Sequence, residues 1–356
     1  MKRTGRLLEQ IAEPENLRLA FWRAGRGKWA KPEVRRFAVN LDDELLGMRE
    51  GLLRGDYPVG RFHAFIVHDP KERVIHAAAF EERVLHHALM NVCEPIFERA
   101  AIYDSYACRR GKGQWAALAR AERFAGAAPF FLKMDVRKYF NSVPHARLLG
   151  LLEQRFKDDE LLAWFRRLLE CYHTAPGRGL PIGSLTSQHF ANFYLGPLDR
   201  FVKETLRRPF YVRYMDDCAV WGPCGRELRQ VELAITDFVA QSLGLVLKPH
   251  PFINRTHAGM DFLGCRVYPG HSILNRRSRR RLKVKLRAHE QRHEAGQWDE
   301  GTLQRHVIAL LGFAAKPRSW RFRQRVLADL GPRPVGLEPR EPRGRLEQRR
   351  AELPVG

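Results

Sequence analysis

The chain has 356 residues, 44% of them hydrophobic, which is enough to bury a real core and to build a protein of several lobes. Lysine and arginine number 62 against 40 acidic residues, a formal net charge of +22 that points to a polyanionic partner neutralised with counterion release. No apolar run is long enough to span a bilayer, Met1-Lys-Arg-Thr-Gly-Arg-Leu-Leu8 lacks the apolar stretch of a secretory signal, and the scattered cysteines 93, 108, 171, 218, 224 and 265 form no Cys-x-x-Cys pair, so zinc, a disulfide framework and a membrane location are not expected and a reduced cytoplasmic protein is.

From Leu7 to about Arg54 apolar residues recur at helical spacing, broken at Pro14 and Pro32 and by a Gly/Lys-rich loop at Gly25–Lys31. Arg61–Val74 alternates as a hairpin does, and Phe80–Phe97 and Gln114–Phe124 read as helices. Phe130-Phe-Leu-Lys-Met-Asp135 is an apolar run that ends in an acid, as a buried strand does where it stops at a site. Val143–Cys171 suggests two helices, the first starting near Pro144, a residue suited to a first turn. Gln188–Leu206 reads as one long helix after a glycine turn at Gly183. Phe210-Tyr-Val-Arg-Tyr-Met-Asp-Asp-Cys-Ala-Val-Trp221 reads as two short strands joined by a tight turn at Met215-Asp216. Glu227–Leu243 is a helix with apolar residues at 228, 231, 235, 238 and 239.

Asn275–Leu330 is helical and basic. Its first part, Asn275–Arg287, holds eight Lys or Arg with only Leu and Val interleaved at the later positions. An Arg-rich composition drawn from a GC-rich genome is the bland alternative. Clustering argues against it, because a solvated helix more often mixes both signs. Arg276, Arg277, Arg279, Arg280, Arg281 and Lys283 are therefore expected to track a nucleic-acid backbone. Beyond Gly331 five prolines, six arginines and four glutamates leave little to bury, and a disordered tail is expected. Helices alternating with a few strands imply an α+β fold and not a doubly wound parallel sheet.

Asp216 and Asp217 carry the chemistry. Two adjacent carboxylates lifted out of apolar strands repel each other, and burial makes the repulsion worse. A divalent cation relieves it, and hard oxygen ligands on a rigid turn suit Mg²⁺. The alternative is an ordinary turn, where Asp is common. Asp135 supplies a third acid. Three converging carboxylates can hold two metals, one activating a primer 3′-hydroxyl and the other holding a triphosphate and stabilising the departing pyrophosphate.

With these residues in view the chain resembles the reverse transcriptases. Tyr214-Met215-Asp216-Asp217 matches the palm signature of that family, and Asp135 followed by Phe140 matches its first catalytic acid and the aromatic gate against a ribose 2′-hydroxyl. Leu180-Pro-Ile-Gly-Ser-Leu-Thr-Ser-Gln188 with Ala191-Asn192 resembles its template- and nucleotide-contacting segment. Asp261-Phe-Leu-Gly264 resembles the primer grip, and Pro70-Lys71-Glu72-Arg73 the fingers segment that holds the triphosphate. The blocks occur in family order from about Arg61 to Pro269, which is far more specific than any one of them.

The resemblance implies a right-hand polymerase. Residues 1–60 would be an N-terminal helical region, 61–269 fingers and an antiparallel palm, 270–330 a helical thumb and 331–356 the tail. Asp135, Asp216 and Asp217 are its expected catalytic and metal-binding residues, with two Mg²⁺ ions. Lys71, Arg73, Phe140, Ile182, Gly183 and Gln188 are the expected nucleotide contacts, and Phe262, Leu263 and Gly264 the primer grip. Phe140 is otherwise simple core, Lys71 and Arg73 a solvated turn, Gln188 a polar helix residue and Arg83 half of an ion pair. His86 and His87 adjoin on a helix and point apart, so no metal is expected there. Pro251 stands where the family often carries a lysine near the pyrophosphate, and Lys248 is a candidate substitute.

One block narrows the reading. Most reverse transcriptases have Gln-Gly, three residues, then Ser-Pro; here Ile182 stands for the Gln and Gln188 for the Pro. That pattern resembles the enzymes of diversity-generating retroelements, as do Arg83-Val-Leu-His-His-Ala88, Pro95-Ile-Phe97 and Asp104-Ser-Tyr-Ala-Cys-Arg109. The resemblance implies a bacterial, archaeal or phage enzyme that copies a template RNA into cDNA from dNTPs, errs opposite adenine and works with a small helical accessory protein. A group II intron maturase shares the palm but needs a longer C-terminal region. Retron enzymes carry a Val-Thr-Gly that is absent here. A catalytically silent RNA-binding or defence protein has no need of three converging acids.

Overall fold

The computed structural model describes residues 5–68 and 72–330; the expectations for Pro70, Lys71 and the segment beyond Gly331 lie outside them. The chain divides into two units between Ile273 and Leu274.

The first unit begins with α1 (Leu7–Ile11), α2 (Pro14–Gly25), α3 (Pro32–Val39) and α4 (Leu41–Arg54). Pro14 and Pro32 open α2 and α3, where an absent N–H costs nothing because the first turn has no partner for it. The hairpin follows as β1 (Phe62–Val67) and β2 (Arg73–Ala78), antiparallel in the register Phe62↔Ala78 to Val67↔Arg73. The long helix α5 (Phe80–Ala100) packs on α2, with Phe21, Phe37 and Phe80 forming one aromatic cluster. Next comes α6 (Gln114–Ala127).

The central sheet starts with β3 (Phe130–Asp135). The chain then leaves it through α7 (Tyr139–Ser142), α8 (His145–Glu153), α9 (Asp159–Glu170), α10 (Leu185–Tyr194) and α11 (Gly196–Arg200), which runs into a π-helical turn at Phe201–Thr205. It returns as β4 (Tyr211–Tyr214) and β5 (Asp217–Gly222), crosses α12 (Gly225–Gln241) and adds β6 (Phe252–Arg255). The strand order is β4-β5-β3-β6, with every neighbouring pair antiparallel. A second sheet, β7 (Met260–Phe262), β8 (Cys265–Tyr268) and β9 (His271–Leu274), completes the unit.

Both faces of the central sheet are covered. Leu132, Met134, Cys218 and Val220 join the large core with Leu228, Val231 and Ile235 of α12. Phe131, Val212, Ala219 and Trp221 join a second core with α6 and with Met260 and Phe262 of β7. Two covered faces explain why β3, apart from Lys133, and β5 read as apolar runs instead of alternating ones. The fold is α+β with antiparallel sheets, as the sequence implies.

Two expectations are corrected. Gln188–Leu206 is not one helix: α10 begins earlier, at Leu185, and ends at Tyr194, and Pro197 opens α11. A proline has no N–H for the helical ladder and its ring clashes with the carbonyl four residues back, so the run restarts there. Strand β6 has no counterpart in the sequence reading, because its four residues gain strand identity only from pairing with β3.

The second unit contains α13 (Arg276–Glu294), α14 (Glu300–Ala315) and α15 (Trp320–Leu330) around Leu274, Leu282, Leu286, Ala314 and Val326. Asn275 caps α13 by accepting from Ser278 N at 2.9 Å. Leu282 and Leu286 form the buried stripe of α13. Arg279 and Lys283 lie over the Phe322 ring at 5.6 and 5.9 Å, while Arg276, Arg277 and Arg280 are exposed. Among the described residues no helix is long and apolar enough to cross a membrane.

Candidate active site

Strand register brings the acids together. Asp135, the last residue of β3, is the direct partner of Asp217, the first residue of β5. Tyr214 pairs with Asp217 in the β4–β5 hairpin, so Met215 and Asp216 are the two turn residues. Met215 has φ +56°, the left-handed conformation that two-residue hairpin turns demand and that a side chain tolerates poorly.

What holds that turn is a residue the sequence reading passed over. Arg213 is buried in β4 and donates to Met215 O at 2.9 Å, to Asn192 Oδ1 at 2.8 Å and to both carboxylate oxygens of buried Asp199 at 2.6 Å. A buried ion pair is costly in desolvation, and the bidentate geometry with every remaining donor used is what offsets it. A charged residue inside an apolar strand was the available signal.

Two lysines face the acids. The segment Val246–Lys248 runs beside the end of β3, with Arg137 N donating to Val246 O and Lys248 N to Asp135 O, both at 2.8 Å. That places the Lys248 ammonium on Asp135 Oδ2. Lys133 lies 3.3 Å from Asp217 Oδ2. The other oxygens, Asp135 Oδ1 and Asp217 Oδ1, are buried without a hydrogen-bond partner. With the lysines in place, no group of three His, Cys, Asp or Glu side chains among the described residues is gathered to hold an ion. Two orphaned carboxylate oxygens are nevertheless what a hard cation satisfies, so the residues fit a divalent metal.

The carboxyls are raised accordingly. Burial, then the charge of Asp135, pushes Asp216 up to about 6. Burial pushes Asp217 up to about 7, with Lys133 opposing and Asp135 adding. An acid raised above its unfolded value of about 3.9 binds its proton more tightly when folded. Its stability contribution is therefore complete below about pH 4 and is lost as the pH climbs to about 7. Asp217→Asn, which deletes the charge, should stabilise the fold by about 1–3 kcal/mol at pH 8 and by almost nothing at pH 4. Urea unfolding at the two pH values measures this, and an equal gain at both would refute the titration as its cause.

The residues expected to contact a nucleotide, as far as they are described, lie on α7, at the start of β2 and in the Leu180–Gln188 segment. Phe140 in α7 is half-buried, and its carbonyl accepts from Leu180 N at 2.7 Å, which draws the Leu180–Gln188 segment against the end of β3. Ile182 O accepts from His76 N of β2 at 2.7 Å. Gly183 has φ +118°, and a Cβ there would come within 2.8 Å of Ile75 Cγ2, so only glycine lets the loop lie this close to the hairpin. Gln188 is half-buried and accepts from Cys108 Sγ at 3.7 Å. Arg73 is exposed at the start of β2, and Lys71 lies outside the described residues. Arg83 faces Glu33 at 3.8 Å, as its ion-pair reading has it. His86 is buried, 3.4 Å from Ser184 Oγ and 3.4 Å from Glu82.

Asp261–Gly264 is the β7–β8 turn, with φ +48° at Leu263 and +81° at Gly264. Gln114 donates to Leu263 O and Lys133 to Asp261 O, each at 2.7 Å. The Phe262 ring is core and faces away from any ligand, whereas Asp261 is exposed and Leu263 and Gly264 are half-buried. Arg276, Arg277, Arg279, Arg280, Arg281 and Lys283 belong to the second unit.

Comparison with known proteins places this geometry. The group II intron-encoded protein LtrA of Lactococcus lactis subsp. cremoris is 26% identical over 171 residues, which cover 45% of this chain and 28% of that protein. An uncharacterized 91 kDa protein in cob intron of Schizosaccharomyces pombe is 29% identical over 135 residues, 36% of this chain and 16% of that one. The chain thus spans less than a third of the length of these relatives. Among solved structures, apo telomerase from Candida tropicalis aligns at 11% identity and a TM-score of 0.47, over 76% of this chain and 62% of that chain. The family model for reverse transcriptase (RNA-dependent DNA polymerase) matches residues 68–267, which contain the three aspartates, the Leu180–Gln188 segment and the β7–β8 turn. A match over more than half of its length shows that this chain belongs to the reverse transcriptase family.

Proposed function

We propose that the chain is an RNA-directed DNA polymerase that makes cDNA from a template RNA and dNTPs. The observation that carries the reading is the pairing of Asp135 with Asp217 beside the Asp216 turn, with two buried carboxylate oxygens unpartnered. Asp135, Asp216 and Asp217 would hold two Mg²⁺ ions, which supply activation of the primer hydroxyl and charge neutralisation at the leaving pyrophosphate. Lys248, which lies on Asp135 Oδ2, would have to release it for that role and would then be free to meet the triphosphate. Phe140 excludes the ribose 2′-hydroxyl, Ile182, Gly183 and Gln188 line the base pair, and Arg73 with Lys71 meets the triphosphate. Residues 61–269 serve as fingers and palm. Residues 270–330 serve as a thumb whose Arg276, Arg277, Arg279, Arg280, Arg281 and Lys283 hold duplex phosphates.

The finer reading is a diversity-generating retroelement enzyme of the cytoplasm, working with a small helical accessory protein. Its support is Ile182. A long polar side chain there braces the nucleotide or its template partner, whereas an apolar contact discriminates a small difference of fit by only about 1–3 kcal/mol. The test copies a defined primed RNA with and without the accessory protein and sequences the product. Synthesis with errors concentrated opposite template adenine is expected, and Ile182→Gln should lower them. Errors spread evenly over the four bases would refute the retroelement reading and favour a group II intron-like enzyme. Absence of any cDNA would refute the polymerase.

A further inference from the structure

Lys133 stands in the middle of the otherwise apolar run Phe130–Met134, between Ala219 of β5 and Phe252 of β6. Side chains alternate along a strand, so Lys133 shares a face with Asp135, and through the register with Asp217. An ammonium in such a place is costly unless its donors are used. Two of them are: one goes to Asp261 O at 2.7 Å, and Asp217 Oδ2 lies 3.3 Å away. Lys133 thus touches both the β7–β8 turn and one acid, while Asp217 Oδ1 keeps no hydrogen-bond partner. The far side of the same turn is pinned separately, by Gln114 on Leu263 O.

We infer that Lys133 is a positioning residue that couples the seating of the primer-bearing turn to the placement of Asp217. This rests on the polymerase reading and on Asp261–Gly264 meeting the primer. A turn that carries the primer end and an acid that acts on it must agree to within a fraction of an ångström, since a displacement of about 1 Å costs on the order of a hundredfold in rate. The two elements belong to different sheets, and Lys133 is a side chain that contacts both. Its reach from β3 fixes their spacing. One oxygen of Asp217 is held by the lysine, so the other is the one presented to the reaction.

The experiment uses the full chain on a primed RNA with 2-aminopurine at the primer terminus. Fluorescence is read in EDTA without dNTP, and single-turnover extension is then measured over a range of dNTP. Lys133→Met keeps the stem and removes the charge. It should raise the 2-aminopurine signal and slow extension by at least about tenfold, the worth of a lost charge-assisted hydrogen bond, with KM for dNTP changed by less than about twofold. Lys133→Arg should restore part of both. Gln114→Ala loosens the same turn without touching Asp217, and should raise the fluorescence with a smaller loss of rate. Extension by Lys133→Met at the wild-type rate with an unchanged signal overturns the inference. So does a slow variant whose loss lies in KM with fluorescence unchanged, because Lys133 would then act on the nucleotide. If Lys133→Met does not fold, a wild-type signal from Gln114→Ala overturns it. A wild-type chain that extends no primer overturns the polymerase reading as well, which separates the two failures.

Discussion

Asp216→Asn is expected to reduce primer extension on RNA by at least about a thousandfold, the scale on which removing one preorganised charge from a reacting centre acts, while RNA binding changes by less than about threefold. Asn keeps the size and shape of the side chain in the Met215–Asp216 turn. Arg213 continues to hold Met215 O, so the hairpin stays in place. The loss is one negative charge where Asp135 and Asp217 converge. On a chain carrying +22, one unit more or less of charge at the bottom of a site would weigh little in the affinity for RNA. Filter binding and extension on one primed template measure the two effects side by side. Normal extension would sink the two-metal proposal. A parallel loss of RNA binding would show that Asp216 is structural.

How far the sequence could be read depends on the range of the interactions. The ends of β3 and the turn at Met215-Asp216 were legible because local patterns set them, an apolar run closed by an acid and two strands around a short turn; Pro14 and Pro32, read as breaks, are the first residues of α2 and α3. The adjacency of Asp135 to the hairpin followed from the resemblance and not from periodicity. Of the device that holds the hairpin only one half had a signal, the charge of Arg213 inside an apolar strand. Arg213 and Asp199 meet through the packing of β4 on α11, and nothing in the residues around Asp199 announces it. Lys133 looks like an ordinary cation in the sequence and Lys248 stands out only through the resemblance; the register of β3 against β5 and the pairing of Val136 with Leu247 turn them toward the carboxylates. The break after Tyr194 had a local signal in Gly196-Pro197, which a reading of apolar spacing alone passed over.

Phe140→Ala is expected to lower the preference for dNTP over rNTP by about 10–200-fold, the worth of a small steric difference in a packed pocket. The ring earns a gate's role only if it cannot move aside, and its surroundings bear on that. Lys138 precedes it with φ +46°, so the chain turns sharply into α7. The Phe140 carbonyl is held by Leu180 N, and the neighbouring Tyr139 hydroxyl donates to Ala191 O deep in the core. Tyr139 meets the Phe140 ring edge-on at 5.8 Å. A ring fixed from the backbone on one side and by a buried tyrosine on the other yields little to a 2′-hydroxyl. Removing a half-buried ring should cost about 1–3 kcal/mol of stability, less than the 3–5 of a fully buried one. Competing dNTP and rNTP incorporation, run beside a urea melt, separates the two effects. A stability loss with an unchanged sugar ratio returns Phe140 to the core and moves sugar selection elsewhere in the pocket. A collapsed ratio at a tolerable stability loss fixes the ring beside the incoming sugar, and with it the end of β3 that the three aspartates share.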